Sequence, residues 1–378
     1  MVQTTQRSYL GHDYSFKSWL LTGDHKRVAI LYFVSILLFF VLGGIAATLL
    51  RLELLTPSST LIQPDNYKKI YTMHGMLMIF FGLTPAVPAI LGNFLVPLMI
   101  GAKNLAFPKL NLAGWYLFSL GGLLLLAAIV FGGVDTGWVF YATYSTSEPL
   151  PLALTGLAIV LVAVSSILLA INYVITIHRM RAPGLTWFRL PLFVWTIQAV
   201  SLISLVAMPI LIVTVVLALL ENWIHLGIFD PRFGGDPLMF QYLFWFYGHQ
   251  TAYLIILPAI GIAFEIFAAF ARRPIFGYRV AVYSILSLIG LGFASWTIHM
   301  ANDLSTYAAI VSSFFSFLTI IPFSLILLSL AATLIKGDIT FRSPLLFVLG
   351  GIGLFLIGGP AGIMLSTLTL AKHLTGTT

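Results

Sequence analysis

The chain has 378 residues, of which 60% are hydrophobic and only 8% charged, against about 25% charged in an ordinary soluble domain. So much apolar surface excludes a water-soluble globule and points to a chain that lives in a bilayer. The net charge of +7 reads as basic residues in short cytoplasmic loops rather than as a nucleic-acid footprint, and the absence of cysteine excludes disulfides and thiolate metal sites, leaving His, Met or oxygen ligands for any metal.

In chain order, a polar segment over 1–27 comes first, without the basic, apolar and small-residue design of a cleaved signal. Nine long apolar runs follow, near 28–50, 70–100, 112–133, 152–178, 192–220, 238–270, 278–301, 306–335 and 344–371. Crossing a bilayer takes about 20 residues, and the longer runs imply tilt or extension beyond the lipid. The short links predict one all-α membrane domain over 1–378, a polytopic helical bundle of about nine spans. With the N-terminus cytoplasmic, 14 of the 19 lysines and arginines fall on the cytoplasmic side, Arg7 and Lys336 among them, and five on the other: Arg51, Lys68, Lys69, Arg232 and Lys372. That bias predicts this orientation, with the C-terminus outside.

Three of the eight histidines lie inside spans: His74 in the second, His249 in the sixth and His299 in the seventh. Ionisable groups at membrane depth are costly and usually functional, and neutral imidazole is the commonest metal ligand. A buried histidine that merely bonds a neighbouring helix is the alternative, and for any single one the commoner case. His12, His25, His178, His225 and His373 fall in loops or tails, where solvation is the default. Tyr253 follows His249 by four residues and shares its helix face.

Longer stretches are more specific. They read DHK at 24–26, LLRLEL at 49–54, MHGMLMIFFGLTP at 73–85, LGNFLVPLMIGAKNLAFPK at 91–109, DTGW at 135–138, PLFVW at 191–195 and FDPRFGGDPLMFQYLFWFYGH at 229–249. Together they closely resemble the catalytic subunit I of haem-copper oxidases, the cytochrome c and quinol oxidases, from about Ser18 to about Leu365. The resemblance implies that His74 is an axial ligand of a low-spin haem and that Arg51 contacts that haem's periphery. It implies that His249 and His299 ligate a copper ion, that Tyr253 is the catalytic tyrosine covalently joined to His249, and that Trp245 precedes this pair as in the family.

Several positions depart from the family pattern. Ile298 stands where the seventh helix should give another copper-binding histidine, so at most two of three copper ligands survive. Gln250 and Thr251 replace a proline and the proton-passing glutamate of many members. Asn104 replaces the aspartate at the mouth of one proton path, and Ile326 the lysine of another. Neither an amide nor an alkyl group takes up and releases protons near neutral pH. The tenth helix of the family, with the remaining haem ligands, falls beyond Thr378, and His373 has no following aspartate that would match it to the family's histidine–aspartate pair.

Three readings follow. The chain is expected to be a divergent subunit I-like component of a respiratory terminal oxidase complex, unable alone to form the oxygen-reducing centre. It could instead be part of a split catalytic subunit that reduces oxygen to water with a partner chain supplying the missing helices, or a single-haem electron carrier. Electrons would come from cytochrome c or quinol, the partners would be other oxidase subunits, no nucleic acid is involved, and the setting would be a prokaryotic plasma membrane.

Overall fold

The computed structural model describes residues 9, 15–55, 61–141, 145, 147–300, 302–335 and 337–374. Arg7, His12, Lys336 and the side chain of Lys372 lie outside the described residues. Among those residues there is no strand, and nine helices are long and apolar enough to cross a membrane: α1 His25–Glu53, α2 Pro64–Ile100, α3 Pro108–Val130, α4 Pro149–Arg179, α5 Leu192–Ile224, α6 Pro237–Phe270, α7 Tyr278–Met300, α8 Thr306–Leu334 and α9 Ser343–Ser366. These match the nine runs read from hydropathy. The ninth ends earlier than expected, because Thr367 is extended before a short helix, Leu368–Leu374, resumes.

By packing, the chain divides into two compact units, one of residues 1–184 and 211–235, the other of 185–210 and 236–378. In the first, α1 to α4 pack around an aromatic cluster. Phe39 meets Phe81 and Phe118 at ring-centroid distances of 5.3 and 5.8 Å. Phe39 sits where a side chain at Gly122 would project, so α1 and α3 approach as closely as they do only because that residue is glycine.

The second span is not a plain α-helix. It holds two π-helical stretches, Leu77–Leu83 and Ala86–Gly92. Pro85, Pro88 and Pro97 supply the cause, since each lacks an N–H and leaves carbonyls of the preceding turn without their usual donor. Side chains take up carbonyls along this region. The Tyr173 hydroxyl donates to Pro88 O at 2.5 Å, and Asn93 Nδ2 to Ala89 O at 2.8 Å. His25 Nδ1 donates to Asn93 O, the carbonyl four residues before Pro97, at 2.7 Å. His25 is thus a buried structural donor at the start of α1 rather than the solvated loop residue expected.

The second unit holds the N-terminal part of α5 with α6 to α9. α5 and α6 cross closely at Gly261, where a Cβ would lie 2.9 Å from Phe193 Cα. Glu265 accepts the Phe193 N–H at 3.3 Å, placing a carboxylate at the N-terminus of α5, where free N–H groups and the helix dipole favour it. α8 is interrupted at Thr319, three residues before Pro322, whose ring disfavours unbroken helix in the turn before it.

Candidate haem and copper ligand sites

His74 is half-buried on α2, and its Nδ1 lies 3.0 Å from the carbonyl of Gly43 on α1. A carbonyl only accepts, so Nδ1 carries the proton and Nε2 keeps its lone pair. A ring held through one N–H with the other nitrogen bare is how proteins present a ligating imidazole. The neighbourhood is built to hold this orientation. A Cβ at Gly75 would come within 3.0 Å of Trp138 Cβ, so the DTGW loop packs flat on α2 beside His74. The Thr72 hydroxyl accepts the Gly137 N–H at 3.0 Å and completes that docking. Arg51 is exposed two turns beyond Gly43 on α1, about 12 Å along the helix axis.

His249 and His299 come together in the second unit. His249 Nδ1 lies 3.0 Å from His299 Nε2. The other nitrogen, His249 Nε2, lies 3.1 Å from Ser295 Oγ, one helical turn before His299 on α7. Trp245, four residues before His249, stacks on the His299 ring with centroids 4.1 Å apart and planes within 10°. Tyr253 lies on the other side of His249, edge to face at 5.6 Å. The structure therefore brings His249, His299, Trp245 and Tyr253 into one cluster. Ser295 belongs to it and was not foreseen: a serine in an apolar helix usually bonds back to its own helix, and nothing in the sequence marks it for another task.

Ile298 is buried and packs with Ala371 and Leu368 of the short C-terminal helix. An alkyl group in an apolar cluster offers no donor atom. Among the described residues, no three His, Cys, Asp or Glu side chains gather as a metal site. A nitrogen separation of 3.0 Å suits two ligands of one ion as well as it suits a hydrogen bond. The donor set nevertheless stops at two nitrogens, so these residues do not fit a three-histidine copper centre. His74, with its bare Nε2, does fit a single axial haem ligand.

Asn104 and Ile326, the two positions where the resemblance expects proton-carrying groups, have these surroundings. Asn104 Nδ2 donates to Gly23 O at 2.7 Å, while its Oδ1 accepts the Leu105 N–H at 2.8 Å. The donor half of that arrangement needs an amide and is closed to a carboxylate. Ile326 is buried against a cavity of about 500 Å³ between α6, α8 and α9, walled by residues such as Ile255, Ala259, Leu330 and Ile352.

The loop between α5 and α6 shows why the FDPRFGGDP stretch reads as it does. Glu221 accepts the N–H groups of Ile228 and Asp230 at 2.9 and 3.1 Å. Asp230 pairs with Arg232 at 2.6 Å, which holds its carboxyl below the ordinary aspartate range. Gly234 has φ +87°, and a Cβ on Gly235 would lie 2.6 Å from Asp230 N, so both glycines are required by backbone geometry.

Residues 27–378 match the family model described as cytochrome C and quinol oxidase polypeptide I. The chain is 39% identical over 354 residues to cytochrome c oxidase subunit 1 of Thermostichus vulcanus, covering 93% of this chain and 64% of that protein. It is 39% identical over 369 residues to a probable cytochrome c oxidase subunit 1-beta of Nocardia farcinica, covering 95% and 61%, and 38% identical over 354 residues to cytochrome c oxidase subunit 1 of Synechocystis, covering 93% and 64%. The chain thus spans about six tenths of the length of these curated relatives. On this likeness the chain belongs to the subunit I family of cytochrome c and quinol oxidases.

Proposed function

We propose that the chain acts as a divergent subunit I-type component of a respiratory terminal oxidase complex, one whose own residues do not make the copper half of an oxygen-reducing centre. The observation that carries this reading is the state of α7. Ile298 is committed to an apolar cluster, and His249 and His299 satisfy each other. Asn104 and Ile326 point the same way: the first spends its amide on backbone hydrogen bonds, the second is an alkyl group in a cavity wall, and neither carries protons at neutral pH.

His74 is the residue we assign to haem. A haem bound there would supply one-electron carriage. The task of the chain would be to hold the His74 ring by its Nδ1–H on Gly43 O and to keep Nε2 unprotonated toward the iron. Arg51, exposed on α1, is available to a propionate or another anionic group at the haem edge. A split catalytic subunit is the second reading, supported by the 3.0 Å approach of two histidine nitrogens that could face one copper ion, with Tyr253 beside them as the catalytic tyrosine. Partners in either case are other oxidase subunits, with cytochrome c or quinol as the electron source. We place the protein in a prokaryotic plasma membrane with its N-terminus cytoplasmic, on the bias of basic residues and on its bacterial relatives.

The test is an iron and copper count assigned per subunit in the complex purified with its native partners, with oxidised and reduced visible spectra. The divergent reading expects no copper stoichiometric with this chain, and one copper per chain would overturn it. His74→Ala should remove a low-spin haem signal, and an unchanged signal would overturn the assignment of His74.

A further inference from the structure

One end of the first unit gathers the close of α1, the start of α2 and the close of α3. A groove of about 560 Å³ lies between these helices there. Its α1 wall is Leu42, Ile45, Ala46 and Leu49, spaced as one helical stripe, and α2 and α3 add Met73 and Ile129. From Leu42 to the end of α1 at Glu53 is about 16 Å along the axis, and the acyl layer of one leaflet is about 15 Å deep, half of the hydrocarbon core. The groove therefore has the depth and the chemistry that an acyl chain of one leaflet requires.

At the helix ends, where a bilayer has its headgroups, the lining changes. Gln63, Asn66 and Lys69 line the groove there, and Lys69 is also a wall of a polar pocket of about 160 Å³, whose other walls are Asp65, Lys68 and Asp135. The Lys69 stem lies against Gly133, where a Cβ would come within 3.3 Å of Lys69 Cβ and 3.5 Å of its Cδ. A lysine that rests its stem on apolar surface carries its ammonium toward the polar side. Among the described residues, the ion pairs do not include Lys69. Lys68 pairs with Asp65 at 3.7 Å, but both are largely in water, where such a pair is weak and opens readily. Asp135 is held by the hydroxyls of Ser145 and Ser147, which donate to its Oδ1 at 2.6 and 2.8 Å. Two lysines and two aspartates thus line one small pocket at the head of an apolar groove. A purely anionic group would meet both carboxylates and a purely cationic one both ammonium groups. A headgroup that carries both charges finds a partner for each.

We propose that this end of the first unit binds one phosphatidylethanolamine molecule, with an acyl chain along the α1 stripe, the phosphate on Lys69 and the ammonium toward Asp65 and Asp135. This goes beyond the reading of function given above and does not depend on haem or copper. Ordinary surrounding lipid would fill the groove with any acyl chain and take no account of the headgroup.

The experiment takes the complex purified with its native partners, strips it of lipid by detergent exchange and offers it equimolar palmitoyl-oleoyl phosphatidylethanolamine, phosphatidylcholine and phosphatidylglycerol. Bound lipid is counted by native mass spectrometry. The lipid of this site is what the wild type retains and Ala46→Trp, whose indole fills the groove, does not. That lipid should be phosphatidylethanolamine, about one per chain. Lys69→Glu should weaken its retention roughly 10-fold, the low end for a lost hydrogen bond to a charged group, and Lys69→Arg should keep it. No difference between wild type and Ala46→Trp, a difference equal for the three lipids, a preference for phosphatidylglycerol, or unchanged retention in Lys69→Glu would each overturn the proposal. Phosphatidylethanolamine with a photoreactive diazirine at mid-chain tests the wild type without any variant. Its crosslinks should fall within residues 42–49 of α1 or 70–77 of α2, and their absence from both segments would overturn the site.

Discussion

If His249 and His299 satisfy each other, removing one should hurt more than removing both, and a double-mutant cycle measures by how much. His299→Leu leaves His249 Nδ1 without its ring partner and removes the stack on Trp245. A stranded buried polar group costs about 1–3 kcal/mol, and we take the lower half of that range because both rings are half-buried. The stack contributes a further ~0.5–1.5 kcal/mol. His249→Leu leaves His299 Nε2 and Ser295 Oγ without their ring partner, again at about 1–2 kcal/mol. In His249→Leu/His299→Leu the shared bond has no survivor, so that part of the loss is counted once. The double variant should be more stable than the sum of the singles by ~1–2 kcal/mol. Thermal shift at one scan rate and in one detergent ranks the four proteins on equal terms. Repeating the cycle with a copper chelator separates a protein-only pair, whose coupling is unchanged, from a metal-linked one, whose coupling falls. Additivity within about 0.5 kcal/mol would refute the contact between the two rings.

Gly261→Ala should destabilise the second unit by ~1–3 kcal/mol or more, because the new methyl meets the Phe193 backbone, which has no rotamer to yield. The Thr196 hydroxyl also stands in the way of that methyl, so Thr196→Ala in the same protein should recover only part of the loss in thermal shift, and full recovery would mean that the backbone clash is not the cause. The Asp230–Arg232 pair lowers the carboxyl pKa in the folded loop, so its contribution is fully present above the unfolded aspartate value of about 3.9 and is lost as pH falls through the lower folded value. Hydrogen exchange over residues 225–236 should stay slow down to about pH 4 and rise only in stronger acid. A rise already at mildly acidic pH would contradict the pairing. Ile298→His places an imidazole in the cluster with Ala371 and Leu368, and should cost ~1–3 kcal/mol with no rescue by added copper. Rescue by copper would show that the new ring can reach the other two histidines.

Hydropathy made the nine spans legible because each is long and almost free of charge. Their ends were less so. Pro322 and Pro360 both stand inside apolar runs, yet only near the first does the helix actually break, and the end of α9 is set at Thr367, a residue with no breaker chemistry. The π stretches of α2 had a visible cause in Pro85 and Pro88, but which carbonyls would need partners, and that Tyr173 and His25 would supply them, depends on helices far apart in sequence. The candidate site residues were picked out by motif. Their meeting was legible only in part: Tyr253 beside His249 follows from helical spacing, whereas His299 beside His249 requires α6 and α7 to pack in register. Ser295 was invisible because its sequence signature equals that of any serine folded back on its own helix.

The glycines that close packing requires and the positions that depart from the family pattern differ in what physics asks of them. Gly75, Gly122, Gly235 and Gly261 sit where another backbone or ring occupies the space of a side chain, so the fold itself requires them. Ile298, Ile326 and Asn104, which the resemblance sets at ligand or proton-carrier positions, each suit their local surroundings without that task. Isoleucine in an apolar cluster leaves no orphaned polar atom, and an amide at position 104 uses both its donor and its acceptor. His249 and His299 follow the same rule, since each is a polar group that has found a protein partner. A chain under no demand for copper chemistry would relax in this direction, toward satisfied polar atoms and closed apolar contacts. His74 is the exception: its Nδ1 is anchored and its Nε2 is not, so the haem-ligand assignment stands on firmer physical ground than the copper one.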